Sequence, residues 1–265
     1  SHSAAYALIA FQTAYLKANY PAEASAALIS LEASNAEKLS FYLKETKDMG
    51  LDILPPNINS SEIDFTVIDG KILFGLRGIK SIGLRALQNI TEERTKKGPF
   101  KDLLDFCIRI DLRTSNKRVL ENLICAGAFD TLPGSRAQQF AEIQQIMALA
   151  VDHKKRLATG QMQLFGNKKN PLDYDAHIFT EVVTWKDKEK LAKEKEVLGF
   201  YISSHPLEGY KNQISSLTLE SFQKMIERMA TLKAGTAEPL VVGCGLLQSK
   251  KEITTKKGDK MAFIQ

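Results

Sequence analysis

Two strings hold residues whose types and spacing can do chemistry on a partner: Gln161-Met162-Gln163-Leu164-Phe165 and the stretch from Arg77 to Leu87. In the first, a leucine and a phenylalanine stand side by side in a polar segment. The basic run His153-Lys154-Lys155-Arg156 precedes it, and the polar stretch Gly166 to Asn170 follows. Such an extended peptide is suited to capture. Leu164 and Phe165 drop into a partner's pocket while Gln161 hydrogen-bonds at its rim. The alternative is a loop pinned to its own domain by the same apolar pair.

The second string reads Arg77-Gly78-Ile79-Lys80-Ser81-Ile82-Gly83-Leu84-Arg85-Ala86-Leu87. One helix is expected to end, a tight turn to run through Ser81-Ile82-Gly83, and a new helix to begin at Leu84. Gly83 gives the turn its freedom and allows close backbone approach, and Ile82 anchors it in the core. The free N–H groups at the start of the second helix form an anion site backed by the helix dipole, with Lys80 and Arg85 at its sides. A helix-hairpin-helix of this kind holds nucleic-acid phosphates without reading bases. The usual pattern has glycine at both ends of the turn; here Ser81 takes the first position. A more degenerate copy follows. Lys117-Arg118-Val119-Leu120-Glu121-Asn122-Leu123-Ile124 makes a basic-tipped amphipathic helix, and Cys125-Ala126-Gly127-Ala128-Phe129 supplies a hairpin. Either copy alone reads as an ordinary corner between helices. Two in tandem with basic neighbours point to DNA backbone binding.

Other chemistry is thinly represented. Cys107, Cys125 and Cys244 are odd in number and widely spaced, with no CxxC, so neither a zinc site nor a disulfide framework is expected. That usage fits a reducing cytoplasm. His2, His153, His177 and His205 lack ligand spacing. Asp102-Leu103-Leu104-Asp105 reads as helix surface rather than a catalytic carboxylate pair. A net charge of +5 and a pI of about 8.9 permit a polyanionic partner. The basic residues come in pairs such as Lys96-Lys97 and Lys250-Lys251, each of which also suits a solvated surface. Apolar residues make up 44% and charged residues 25%, as in soluble globular proteins. No apolar run approaches the roughly 18 residues of a membrane span, so no membrane partner is expected. The opening residues do not read as a signal peptide.

The elements that must position these groups are mainly helical, with small β segments: an α+β chain. A helix is expected over 4–18 from its apolar spacing. Pro21 opens a second, to about Ala33, and Asn35 caps a third that Gly50 ends. Ile63 to Val67 and Ile72 to Phe74 alternate around Asp69-Gly70, a dipeptide that favours a tight hairpin turn. Short helices fill 76–130. Ser135 with Gln138 makes a capping box for a long helix to about Arg156, with Phe140, Ile143, Met147 and Ala150 on one face. Residues 157–181 read as a linker. Lys186 to Gly199 is helical with its charges outward, and Leu217 to Met229 is a further helix. Leu240 to Leu247, Ile253 to Thr255 and Met261 to Gln265 read as strands, the last two joined by a turn at Lys257-Gly258-Asp259. The sheet they begin is expected to be incomplete, as in a piece of a longer chain.

Further strings carry a family resemblance: Ser1-His2-Ser3-Ala4-Ala5-Tyr6-Ala7, Phe11-Gln12-Thr13-Ala14-Tyr15-Leu16-Lys17 and Tyr20-Pro21-Ala22-Glu23. Leu54-Pro55-Pro56, Phe74-Gly75-Leu76, Gly98-Pro99-Phe100, Asn116-Lys117-Arg118-Val119-Leu120-Glu121 and Ala126-Gly127-Ala128-Phe129-Asp130 follow in order. Glu194-Lys195-Glu196-Val197-Leu198-Gly199-Phe200-Tyr201 leads into His205-Pro206-Leu207. This order resembles the α subunits of bacterial DNA polymerase III, the replicative C-family DNA polymerases, over nearly the whole chain.

The resemblance implies a layout. Residues 1–75 would end the fingers domain. Residues 76–210 would be the clamp-binding domain with tandem helix-hairpin-helix motifs, 211–237 a connecting helix and linker, and 238–265 the first strands of an incomplete OB domain. It implies that Gln161 to Phe165 dock on the β sliding clamp and that Arg77, Lys80, Ser81, Gly83, Leu84, Arg85, Lys117, Arg118, Cys125 and Gly127 lie against DNA. Ser1 and His2 would lie near an incoming nucleotide, unless they are tag residues. The parent would be a DNA-directed DNA polymerase using two metal ions, magnesium, held by palm carboxylates upstream. This piece would bind no cofactor or metal and would lack activity alone. A complete OB domain can take single-stranded template, and other holoenzyme subunits would bind elsewhere in the parent. Ala24-Ser25 stand where larger apolar residues are usual, implying looser packing, and Met162 and Gln163 imply modest clamp affinity. The competing readings are a non-catalytic helix-hairpin-helix adaptor of DNA repair, binding DNA but no clamp, and a purely structural helical scaffold.

Overall fold

The computed structural model describes residues 2–159, 177–217, 224, 226, 227, 230, 231, 244–247, 249–254, 258 and 260–264. The chain divides into two compact units, Ser1–Ser203 and Ser204–Gln265.

The first unit opens with α1 (His2–Asn19), α2 (Pro21–Glu32) and α3 (Ala36–Asp48). Pro21 sits in the first turn of α2, where its missing N–H costs nothing. The Asn35 side chain accepts hydrogen bonds from the Glu37 and Lys38 N–H groups, as a capping residue should. A three-stranded sheet follows, made of β1 (Ile53–Leu54), β2 (Thr66–Ile68) and β3 (Lys71–Leu73) in the order β1-β3-β2. The β2–β3 hairpin turns on Asp69 (φ 50°) and Gly70 (φ 74°), both left-handed as that turn demands. The expected strand over 63–67 is displaced to Thr66–Ile68. The parallel pairing of β1 with β3 goes beyond the extended run expected over 51–56.

Among the described residues five more helices follow in this unit: α4 (Leu84–Lys97), α5 (Leu103–Arg109), α6 (Lys117–Ala126), α7 (Arg136–Thr159) and α8 (Asp187–Leu198). The capping box forms at α7: Ser135 N–H donates to Gln138 Oε1 (2.9 Å), and Gln138 N–H donates to Ser135 Oγ (3.3 Å). Ile143 and Ala150 are buried on its apolar face, with Phe140 and Met147 half-buried beside them. The core runs without interruption from Ala22 on α2 to Leu198 on α8. Aromatic rings form its spine: Phe65–Phe74–Phe200 on one side and Phe100–Phe106–Phe129 on the other, at centroid separations of 4.6–5.9 Å. Burial of side chains this large dominates the stabilisation. The core also crosses position 75/76, where Ile58 N–H donates to Ala128 O (2.8 Å) and Phe74 stacks on Phe200.

Asp102 and Asp105 are corrected by burial: each is only 8% exposed, not helix surface. Asp102 caps α5, accepting from Asp105 N–H at 2.7 Å, and Asp105 accepts from Lys101 N–H and Arg109. A cleft of about 290 Å³ lies among α1, α2 and α3, and Ala24 and Ser25 line it together with Leu16 and Met49.

In the second unit a short 3-10 turn (Glu208–Tyr210) runs into α9 (Lys211–Ser216). Leu217 ends that helix rather than opening another; of the rest of the helix expected to Met229, the described Lys224, Ile226 and Glu227 are helical. β4 (Lys250–Thr254) and β5 (Lys260–Ile264) pair antiparallel, with Gly258 left-handed (φ 87°) in their turn. Of the strand expected over 240–247, Cys244 to Leu247 are not in a strand and 240–243 lie outside the described residues.

Candidate nucleic-acid interface

The first hairpin forms where the sequence places it, with a different residue bearing the strain. A 3-10 turn (Leu76–Gly78) ends, Ser81 adopts a left-handed φ of 63°, and α4 begins at Leu84 with Gly83 as its N-cap. Gly83 itself is extended (φ −77°), and a Cβ there would meet nothing within 4 Å. The expected role of Gly83 is therefore corrected: Ser81, not Gly83, takes the conformation that favours glycine. Ile82 is half-buried against the core, as expected of an anchor.

Gly83 offers no side chain to the first N–H groups of α4, so they remain open to an anion, with the helix dipole behind them. Leu84 is 52% exposed and Arg85 is exposed, so the opening of α4 faces solvent. Lys80 is less available than expected. Its N–H donates to Val197 O (2.9 Å) and its Nζ to Glu196 O (2.8 Å), both carbonyls of the last turn of α8. Arg77 is exposed and pairs with Asp64 (3.1 Å).

The middle of α6 is tied to the same hairpin. Asn122 Nδ2 donates to the Lys80 carbonyl at 2.7 Å, and Arg118 lies one helical turn before Asn122 on the same face. Arg118 is exposed and, like Arg85, has no carboxylate partner among the described residues. Lys117 is shared with Glu121 (3.8 Å) and Gln144 (3.2 Å).

The second hairpin is corrected. Cys125 lies inside α6 and is buried, and burial pushes its thiol up to about 11. Gly127 is the left-handed residue after α6 (φ 84°), with Ala128 N–H donating to Leu123 O and Gly127 N–H to Ile124 O. Over Gly127 lies the buried Arg136 guanidinium; a Cβ there would fall 2.0 Å from its Nη2. Arg136 grips Asp130 through both carboxylate oxygens (2.7 and 2.6 Å), donates to Cys125 O, and meets Glu194 Oε2 at 3.3 Å. Burial works against its charge, but Asp130 and Glu194 outweigh that. This turn is filled by its own protein and leaves no exposed cradle.

Glu194 is 1% exposed, against the expectation of charges outward on α8. It accepts from Ile202 N–H (2.6 Å), Ser203 N–H (2.8 Å) and Ser203 Oγ–H as well as Arg136. A second buried carboxylate, Glu142 on α7, meets His177 and accepts from Thr180 N–H (2.8 Å). Burial pushes Glu142 upward, but the hydrogen bonds from Thr180 and His177 hold it below the usual carboxylate value. Neither cluster is legible in the sequence, since Arg136 lies 58 residues from Glu194 and His177 35 residues from Glu142. Gln161, Met162, Gln163, Leu164, Phe165 and Ser1 lie outside the described residues, and His2 opens α1. Among the described residues no group of His, Cys, Asp or Glu could hold a metal ion, and no helix is long and apolar enough to cross a membrane.

A hairpin whose second helix starts uncapped and flanked by arginine is the geometry of a backbone-binding module. Residues 50–139 match the family of the helix-hairpin-helix motif, which defines this class. Along its length the chain is 38% identical to DNA polymerase III subunit alpha of Vibrio cholerae, covering 100% of this chain and 22% of that protein. The same subunit of Borreliella burgdorferi is 39% identical over 99% of this chain, and that of Thermus aquaticus 36% over 99%. The chain spans 22% and 21% of those two relatives. It is thus similar throughout to a segment of DNA polymerase III subunit alpha, as the residue strings implied.

Proposed function

We propose that this chain is the part of a replicative DNA polymerase that grips duplex DNA by its backbone and docks on the β sliding clamp. One observation carries the DNA half of the reading: the uncapped first turn of α4 opens to solvent beside Arg85, with the Arg118 end of α6 tied to the same hairpin through Asn122. Phosphate is the ligand such a surface takes, through backbone N–H groups and guanidinium forks, with no base readout. Gly83, Leu84 and Arg85 present the site, Arg118 and Lys117 extend it, and Ser81 and Lys80 shape it. Cys125, Gly127 and Arg77 are supporting residues in this reading.

The clamp half rests on the pentapeptide. Gln161 would hydrogen-bond at the rim of the clamp's pocket, Leu164 and Phe165 would fill it, and Met162 and Gln163 would space them. A weak linear motif keeps a polymerase beside its template by raising effective concentration. Nucleotidyl transfer would belong to a palm domain outside this chain, and so would the magnesium it needs. Asp102 and Asp105 do not fit that role, because their oxygens are committed to capping α5 and to Arg109. The layout of fingers end (1–75), clamp-binding domain (76–210), connector (211–237) and OB start (238–265) belongs to the same proposal. So do a single-stranded template partner for the complete OB domain, other holoenzyme subunits elsewhere, nucleotide proximity for Ser1 and His2, and a cytoplasmic setting.

The test is surface plasmon resonance of the chain on the β clamp and on a duplex DNA surface. Clamp binding is expected to vanish with Leu164→Ala/Phe165→Ala and to change little with salt. Duplex binding is expected to survive that change and to weaken steeply with salt. DNA binding without clamp binding would leave the repair-adaptor reading; binding to neither surface would leave a scaffold.

A further inference from the structure

We infer that Asn122 is a positioning residue for phosphate binding: it locks a strained turn at Ser81 and thereby joins the hairpin and the Arg118 end of α6 into one surface. This rests on the duplex-binding reading above. Ser81 is left-handed (φ 63°) without being glycine or asparagine. In that conformation the Cβ crowds the following carbonyl. A turn carrying that strain next to an exposed helix start persists only when its surroundings over-determine it.

The surroundings are visible, and they converge on the residue just before the strain. The N–H of Lys80 is held by Val197 O at 2.9 Å and its amine by Glu196 O at 2.8 Å, while its carbonyl accepts from Asn122 at 2.7 Å. The first two bonds tie the turn to the end of α8. The third ties it to α6, and it is the only one of the three that comes from a side chain on the helix bearing Arg118. Asn122 therefore does two things with one bond. It fixes the peptide between Lys80 and Ser81, which sets the orientation of the α4 opening. It also holds Arg118, one turn away, at a fixed offset from Arg85. These exposed arginines on different helices can then meet successive phosphates of one strand as a preorganised pair. In the sequence each arginine belongs to its own motif; the Asn122 bond puts them in one.

The experiment is fluorescence anisotropy of the whole chain with a labelled duplex, repeated across salt concentrations. A hydrogen bond of this kind contributes about 0.5–1.5 kcal/mol net, so Asn122→Leu is expected to weaken duplex binding about 3- to 10-fold. Arg118→Met is expected to lower the slope of log K against log salt by about 0.9, the mark of one phosphate no longer neutralised. Replacing Ser81 by glycine removes the strain that Asn122 restrains. In a Ser81→Gly background Asn122→Leu is therefore expected to cost no more than about 2-fold, because less of the turn's population is lost. Circular dichroism melting of each variant shows whether it is folded under the binding conditions, which separates a general loss of stability from a change confined to the turn. Full-strength binding by Asn122→Leu, no rescue by Ser81→Gly, or an unchanged slope for Arg118→Met would each overturn the inference while leaving duplex binding intact. Absence of salt-sensitive binding by the unaltered chain would instead overturn the duplex-binding reading and this inference with it.

Discussion

At the residue scale, the most consequential side chain is one that nothing in its local sequence singles out. Glu194 sits among lysines and glutamates on α8, where alternating charge normally marks a solvated face. It is instead buried against Arg136, 58 positions earlier, and both its oxygens are used. A buried ion pair contributes little beyond what an apolar pair would, yet removing one partner strands the other. Glu194→Ala leaves the Ile202 and Ser203 N–H groups without their acceptor and takes from Arg136 one of its two carboxylate partners. It is expected to destabilise the first unit by about 3–5 kcal/mol, measured as a shift of the urea midpoint with an unchanged m-value. A loss below about 1 kcal/mol would mean that the stranded groups find other partners, as at a solvated site. Asp102 and Asp105 teach the same lesson. Nothing local distinguishes a buried, capping or paired carboxylate from a surface one.

At the scale of elements, much was legible because the signals are local. Pro21 and Asn35 mark helix starts, Gly50 and Gly199 helix ends, and Asp69-Gly70 a hairpin turn, each by conformational demands within a few residues. The first hairpin was legible for the same reason. The second was not: Gly127 has the glycine of a hairpin, but whether its turn is open depends on Arg136 folding over it. That is a tertiary fact. The clasp between α7 and residues 177–180 is equally distant in sequence, and it carries a pH signature. Glu142 is held below its ordinary value of 4.5, so its contribution is fully present above about pH 4.5 and is lost as pH falls through the depressed native value. Trp185, the one tryptophan of the chain, packs on Phe140 at 5.5 Å, beside this clasp. Its fluorescence is expected to change as pH falls below the ordinary carboxylate value. Glu142→Gln should remove that step. An acid step of unchanged size and position in Glu142→Gln would refute Glu142 as its origin.

At the scale of the whole molecule, the layout implied by the family resemblance places a domain boundary at 75/76, yet the described core runs straight through that position. Ile58 is bonded to Ala128, Phe74 lies on Phe200, and α2 and α3 share the cluster that holds α5 and α6. If residues 1–203 unfold as one, a lesion on the first side must be felt by a probe on the second. Leu43 on α3 is fully buried, and Leu43→Ala should cost about 2–5 kcal/mol. Cys107 on α5 is the probe: it is buried, and burial with loss of hydration pushes its thiol up to about 12. It can react with a thiol reagent only after opening, because thiolate is the reactive form. Cys244, in the second unit, is exposed and serves as the internal control. With one cooperative unit, Leu43→Ala accelerates Cys107 labelling by the full factor that its free-energy cost predicts, tenfold for each ~1.4 kcal/mol, while Cys244 labelling is unchanged. With separate domains, Cys107 would stay as protected as in the unaltered chain although α3 had melted. Mass spectrometry of the labelled peptides distinguishes the outcomes. The first would mean that the helices before the sheet and the hairpin at Ser81 form one mechanical body, so that a force or clash at α2 and α3 reaches the Ser81 turn without a hinge between them.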